Sequence, residues 1–177
     1  VDAAIGGKVA VNFDNYKNQI GLFSNPEAIF INFSFNNSLP NLHLLSAYAE
    51  IIKYGLIYDE VFWKLISTQN PNQIKLPEII HRCVEIKVNI VKNDFYDQNL
   101  RRKLNFGHTV SHSIESVFLA NGISISHGHA LAIGLICESY ISYKTSTLTQ
   151  QQLDSIVSCI LSLFKYQDLS LVDNMQI

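Results

Sequence analysis

Apolar residues in this chain recur at two different periods, and the change falls near residue 40. Up to that point glycines and asparagines separate short extended runs, Val9-Ala10-Val11 and Ala28-Ile29-Phe30-Ile31. This spacing predicts a glycine loop at Gly6-Gly7 followed by short strands. Beyond Ser38-Leu39-Pro40 the apolar positions step by three and four, as Leu42, Leu45, Ala49 and Ile52 do, which is the signature of an amphipathic helix. Gly55 is the expected stop of that helix. Further helices are expected from Asp59 to Ser67 and from Pro77 to about Lys92, the latter with an apolar stripe of Ile79, Cys83, Ile86 and Ile90. After a turn over Asn93 to Asn99, three more are expected: from Arg101 or Leu104 to Leu119, from His129 to Tyr143, and from Thr149 to about Phe164. The predicted fold is mainly α: a helical domain over residues 41–177, preceded in residues 1–40 by the end of an α/β domain.

Composition narrows the function classes. Of 177 residues, 47% are hydrophobic and 16% charged, with a net charge of −2 spread along the chain. No basic stripe with interleaved aromatics is present, which excludes nucleic acid and an anionic lipid surface as main partners. No apolar run approaches the ~20 residues of a membrane span, and no stretch reads as a signal peptide. Cys83, Cys137 and Cys159 sit singly in apolar helical patterns, so reduced thiols in a cytoplasmic protein are expected rather than a cysteine metal site. The start at Val1 without a methionine is expected of a piece of a longer chain.

Chemistry concentrates between Arg101 and Glu115. At helical spacing Arg101, Asn105, His108, His112 and Glu115 fall on one stripe, while Leu104, Phe106, Val110 and Ile114 lie off it. One such histidine would suit a solvated face, but the whole row suits a cleft that holds a metal ion and anions. Gly107 would let another helix or a ligand approach closely. His127-Gly128-His129 opens an apolar helix, and Glu50 with Lys53 occupies one face of another, where a buried carboxylate needs a cation. Histidines and a carboxylate with open positions make the usual catalytic zinc arrangement. On spacing alone, His108 with His112 is as good a pair as any other, although no HExxH motif accompanies it.

Several blocks resemble 3-dehydroquinate synthases: Val1-Asp2 through Gly6-Gly7-Lys8 to Asn12, Lys17-Asn18 with Ile20-Gly21, Ala49-Glu50-Ile51-Ile52-Lys53-Tyr54-Gly55, Leu104-Asn105-Phe106-Gly107-His108-Thr109, and His127-Gly128. The resemblance implies a dehydroquinate synthase-like α domain after the remnant of a nucleotide-binding domain. It implies a zinc or cobalt ion on Glu50, His108 and His127, with His112 turned to substrate. It further implies substrate contacts at Asp2, Lys8, Asn18, Lys53, Lys87, Arg101, Asn105 and His112, and NAD contacts at Asp2, Lys8 and Lys17. The implied reaction belongs to the shikimate pathway toward chorismate and the aromatic amino acids. A seven-carbon 2-keto sugar-acid phosphate (DAHP) is oxidised with NAD, loses phosphate, is reduced again and closes to a carbocycle. Lys and Arg suit the phosphate and carboxylate of that substrate. A homodimer is expected of the intact parent, and no turnover from this chain alone. Two departures from the family pattern stand out: Asp97 where a glutamate is usual, and His129 where an acid usually follows the His-Gly pair.

Overall fold

In the computed structural model, residues 2–13, 16–68, 76–145 and 147–164 are described, the side chains of Asp2, Asn12 and residues 16–19 excepted. Six α-helices, three short 3-10 helices and one two-stranded antiparallel hairpin make up the regular structure among these residues. They form two compact units, one of Val1–Asn37 with Ile74–Lys103, the other of Ser38–Gln73 with Leu104–Ile177.

The first unit contains strands β1 (Lys8–Phe13) and β2 (Tyr16–Phe23) and helix α3 (Leu76–Asn93). Opposed pairs Val9↔Leu22 and Val11↔Ile20 put four apolar side chains on one face of the hairpin, and all four are exposed. The expected strand at Ala28–Ile31 does not form. β2 takes its place through the alternation of Ile20 and Leu22 with smaller or polar neighbours, a pattern masked by Asn18 and Gln19. Helix α3 buries Ile79, Cys83, Ile86 and Ile90, the stripe expected from the sequence. The turn after α3 is tied to the hairpin by packed rings of Phe23, Phe95 and Tyr96, with centroids 5.1–5.6 Å apart, and by an ion pair of Lys8 with Asp97.

The second unit is a bundle of α1 (Asn41–Tyr58), α2 (Glu60–Thr68), α4 (His108–Ala120), α5 (His127–Lys144) and α6 (Gln150–Leu163). Local chemistry sets the helix starts. Asp59 Oδ1 accepts from the N–H groups of Val61 and Phe62 at 3.0 and 3.1 Å, and Thr149 forms a capping box with Gln152. Helix α1 does not stop at Gly55; there the chain passes so close to α2 that a Cβ would lie 2.8 Å from Ile66 Cδ1. Tertiary packing, not termination, places that glycine.

Helix α5 is the centre of the bundle and packs on α1, α4 and α6. Its two glycines mark the closest crossings. A Cβ on Gly128 would fall 2.2 Å from Ser46 Cα, and one on Gly134 would fall 2.0 Å from the Gly107 carbonyl oxygen. At the first crossing Gly128 N–H also donates to Ser46 Oγ at 2.8 Å. Between α4 and α5 the contact is filled by Ile114, Phe118 and Ala130, with Val110, Val117, Ile125 and Ile133 around them.

Replacing Gly128 by alanine should therefore destabilise the protein, although alanine favours a helix over glycine by about 1 kcal/mol. Overpacking against backbone costs about 1–3 kcal/mol or more where neither helix can yield. The expected result is a lower melting temperature for G128A in a thermal unfolding experiment, the reverse of what propensity alone gives.

Candidate metal centre

The start of α4 lies later than the stripe of polar residues implied. Leu100–Asn105 is a 3-10 segment, Gly107 follows with φ +80°, and the α-helix runs only from His108. A left-handed residue reverses the local winding and is tolerated by glycine without strain. Arg101 and Asn105 are thus not on one α-helical face with His108, His112 and Glu115. Arg101 belongs to the first unit and is buried there, its Nη1 donating to the Phe95 carbonyl at 2.6 Å and its backbone N–H to Asp94 Oδ2 at 2.9 Å. The backbone N–H groups of Arg101, Gln98 and Asn99 in turn hold the Asp94 carboxyl below its usual range.

Three side chains converge within the helical unit. Helix α1 supplies Glu50, the first turn of α4 supplies His108, and the first turn of α5 supplies His127. One potential ligand atom from each lies within 4.8 Å of the others. The Nε2 atoms of His127 and His108 stand 3.0 and 3.4 Å from the same Glu50 Oε1.

The hydrogen bonds on the far side of each imidazole decide what this arrangement can do. His108 Nδ1 faces the Phe106 carbonyl at 3.3 Å, and His127 Nδ1 faces Glu115 Oε1 at 3.2 Å. Both partners only accept, so with its proton on Nδ1 each neutral ring turns a lone pair on Nε2 toward Glu50. In that state two lone pairs and a carboxylate oxygen meet with no proton between them, whereas in the metal-free site an Nε2–H donates to Glu50 Oε1. A cation resolves that conflict. A tetrahedral ion bound at about 2.0–2.2 Å keeps its ligand atoms about 3.3–3.6 Å apart, close to the separations around Oε1. The donor set therefore fits a divalent ion of the zinc type.

Electrostatics agree with the geometry. Burial disfavours the Glu50 charge, but hydrogen bonds from His108 and His127, with the ammonium of Lys53 beside them, outweigh it and hold the carboxyl far below the ordinary carboxylate range. The hydrogen bond to Glu50 raises the His127 imidazole above its usual value, against burial and with help from the Glu115 charge. Lys53 is itself buried, 2.5 Å from Glu50 Oε2 and with its Nζ 5.0 Å from the Tyr54 ring centroid.

The remaining candidate residues divide between the units. His112 is exposed, one turn along α4, with its ring edge-on to His108 at 5.4 Å, and it does not join the convergent set. Asn105 is exposed ahead of Gly107 in the same unit. Lys8, Lys87 and Arg101 belong to the strand-bearing unit, Lys8 paired with Asp97. The side chains of Asp2, Lys17 and Asn18 lie outside the described residues. His129 is not in the convergent set: its Nδ1 is 2.7 Å from Ser126 Oγ at the N-cap of α5, and its ring packs at right angles on Phe164. Glu115 is the partner that sequence reasoning left without a role. Its signal was present, seven residues after His108 on the same helical face.

Residues 47–174 match the family described as 3-dehydroquinate synthase C-terminal, and residues 1–46 match 3-dehydroquinate synthase N-terminal. The chain belongs to the 3-dehydroquinate synthase family. The 3-dehydroquinate synthase of Parabacteroides distasonis is 38% identical over 162 residues, 89% of this chain and 45% of the relative. That of Buchnera aphidicola subsp. Cinara cedri is 39% identical over 163 residues, 89% of this chain and 44% of the relative. The chain thus spans less than half the length of these curated relatives. Among solved structures, the 2-epi-5-epi-valiolone synthase from Streptomyces hygroscopicus subsp. jinggangensis, with NAD+ and Zn2+ bound, superposes with a TM-score of 0.82 at 26% identity, over 94% of this chain and 48% of that one. A 2-deoxy-scyllo-inosose synthase complexed with carbaglucose-6-phosphate, NAD+ and Co2+ shares the fold, with a TM-score of 0.74 at 21% identity over 98% of this chain and 46% of that one. The mainly helical fold expected from the sequence is that of the synthase family. No helix among the described residues is long and apolar enough to cross a membrane.

The two opposite shifts set a window for the metal-free protein. Glu50, with its pKa depressed on folding, contributes stability that is complete above the unfolded value of about 4.3 and is lost as pH falls toward the folded one. His127, with its pKa raised, contributes stability that is complete below about 6.5 and is lost as pH rises through the folded value. Urea unfolding of metal-free protein should find the triad's contribution largest between these limits. E50Q should flatten the acid-side dependence; an unchanged acid limb in E50Q would contradict the assignment.

Proposed function

We propose that this chain is the metal- and substrate-binding part of a 3-dehydroquinate synthase, a carbon–oxygen lyase that releases phosphate from the seven-carbon sugar acid DAHP. The observation that carries the reading is the meeting of Glu50 Oε1 with two imidazole Nε2 atoms whose opposite nitrogens are both committed to acceptors. Identity of 38–39% to relatives bearing that name supports the dehydroquinate-forming activity over that of other sugar-phosphate cyclases on the same scaffold.

On this reading Glu50, His108 and His127 hold a zinc or cobalt ion, which when bound polarises substrate oxygens and stabilises negative charge developing on them. Lys53 keeps Glu50 ionised and adds positive charge beside the ion. His112, exposed next to His108 and outside the ligand set, faces substrate, where an imidazole can accept or return a proton near neutral pH. Asn105 offers an amide for a substrate hydroxyl. Asp2, Lys8, Asn18, Lys87 and Arg101 are the further substrate contacts, and Asp2, Lys8 and Lys17 contact NAD in the complete, cytoplasmic, homodimeric parent. Arg101 suits an anion because its guanidinium is already fixed by the Phe95 carbonyl, so little freedom is lost on binding. By ancestry residues 1–40 close the N-terminal α/β domain and residues 41–177 form the metal- and substrate-binding domain, whereas packing groups α3 with the N-terminal strands.

Zinc titration of the chain against a chromogenic chelator is expected to give one site. E50Q, H108A and H127A should each weaken it by more than about 100-fold, beyond the range for losing an outer-sphere partner, while H112A stays within about twofold. Equal loss in H112A would move the ligand set along α4. For the reaction itself, phosphate release from DAHP by the intact parent with NAD is the assay. H112A should lower its turnover without removing the metal, and the 177-residue chain alone should bind zinc without turnover.

A further inference from the structure

A metal-binding histidine presents the correct nitrogen only if something holds the proton on the other one. For His108 that group is a backbone carbonyl two residues earlier, built into the turn at Gly107 and independent of any side chain. For His127 it is a side chain from another helix, Glu115 of α4, twelve residues away in sequence. The two supports differ in kind.

Glu115 is well placed for the task. Its side chain is only 15% exposed, against 38% for His127, so its carboxylate meets the imidazole on the protein side of the ring. The neighbouring Ile114 and Phe118 are buried against Ala130 of α5, which fixes the helix pair that carries the contact. His127 also stands at the first position of α5, where the backbone alone does not define the orientation of the ring. The Gly128–Ser46 hydrogen bond anchors the backbone there, and Glu115 anchors the imidazole.

We propose that Glu115 is a positioning residue of the metal centre: by accepting the Nδ1–H of His127 it fixes the ring's tautomer and direction and makes Nε2 a stronger donor. This rests on the reading of Glu50, His108 and His127 as metal ligands. Outer carboxylates of this kind change metal affinity by about 10–100-fold.

The test uses two substitutions in the full 177-residue chain. Glu115→Met keeps the side-chain length and helix propensity but has no acceptor, whereas Glu115→Gln keeps a neutral acceptor. Zinc affinity by chelator competition is expected to fall about 10–100-fold in E115M and to recover at least partly in E115Q. Nitrogen-15 NMR of the metal-free histidines above neutral pH separates this from a merely structural effect. Wild type and E115Q should carry more of the His127 proton on Nδ1 than E115M, in which Glu50 is the remaining acceptor and draws the proton to Nε2. Wild-type zinc uptake together with an E115M affinity within about twofold, or an unchanged His127 tautomer in E115M, overturns the role of Glu115 alone. A wild-type chain that takes up no zinc overturns the reading of the triad itself, and this proposal with it.

Discussion

Everything in the helical unit depends on how closely α5 can approach its neighbours. At Gly128 its backbone lies against Ser46 of α1, and at Gly134 against the carbonyl of Gly107, where α4 begins. Ser46 is one helical turn before Glu50, Gly128 is adjacent to His127, and Gly107 is adjacent to His108. Each close contact is therefore a residue or a turn away from one of the three convergent side chains. Glutamate and histidine side chains span little distance, so a carboxylate and two imidazoles meet only if their helices are this near. The missing side chains on α5 are as much a part of the centre as the side chains that meet there.

The same crossings explain why charge can sit so deep. Lys53 and Glu50 occupy ground that would exclude ions if apolar neighbours alone lined it. Each has an opposite charge or an oriented hydrogen bond within reach, and the Glu50 carboxyl stays ionised despite its burial. Such a cluster is held by geometry more than by strength. Moving one helix by an ångström would draw the carboxylate out of reach of one imidazole or the other.

Much of this was legible from residues alone. Helices α3 and α6 follow from apolar steps of three and four, because each buries one stripe, as Ile79, Cys83, Ile86 and Ile90 do, whereas α1 and α5 bury more than one face and are read from the length of their apolar patterns. The convergent triad could not be chosen from spacing, since His108 with His112 satisfies the same periodicity; family blocks singled out His127. Three other failures have physical causes. Gly55 resembles a helix stop only to a reader who cannot see Ile66 pressing on it from α2. The polar stripe from Arg101 to Glu115 presumed one continuous helix, and the left-handed turn at Gly107 divides it. Strand β2 went unseen because its asparagine and glutamine dilute the alternation that Ile20 and Leu22 carry, while Ala28–Ile31 has the composition of a strand but no partner to pair with among the described residues.

One carboxylate and two imidazoles, drawn from three helices rather than from a rigid loop, make a permissive set of donors. Oxygen and nitrogen ligands of intermediate softness rank the divalent transition metals by their intrinsic order of affinity, and nothing in such a trio selects against a neighbour in that series. The choice of ion would then lie outside the polypeptide, with the buffered availability of each metal where the protein is made. A cell could exchange one ion for another in this centre without altering a residue.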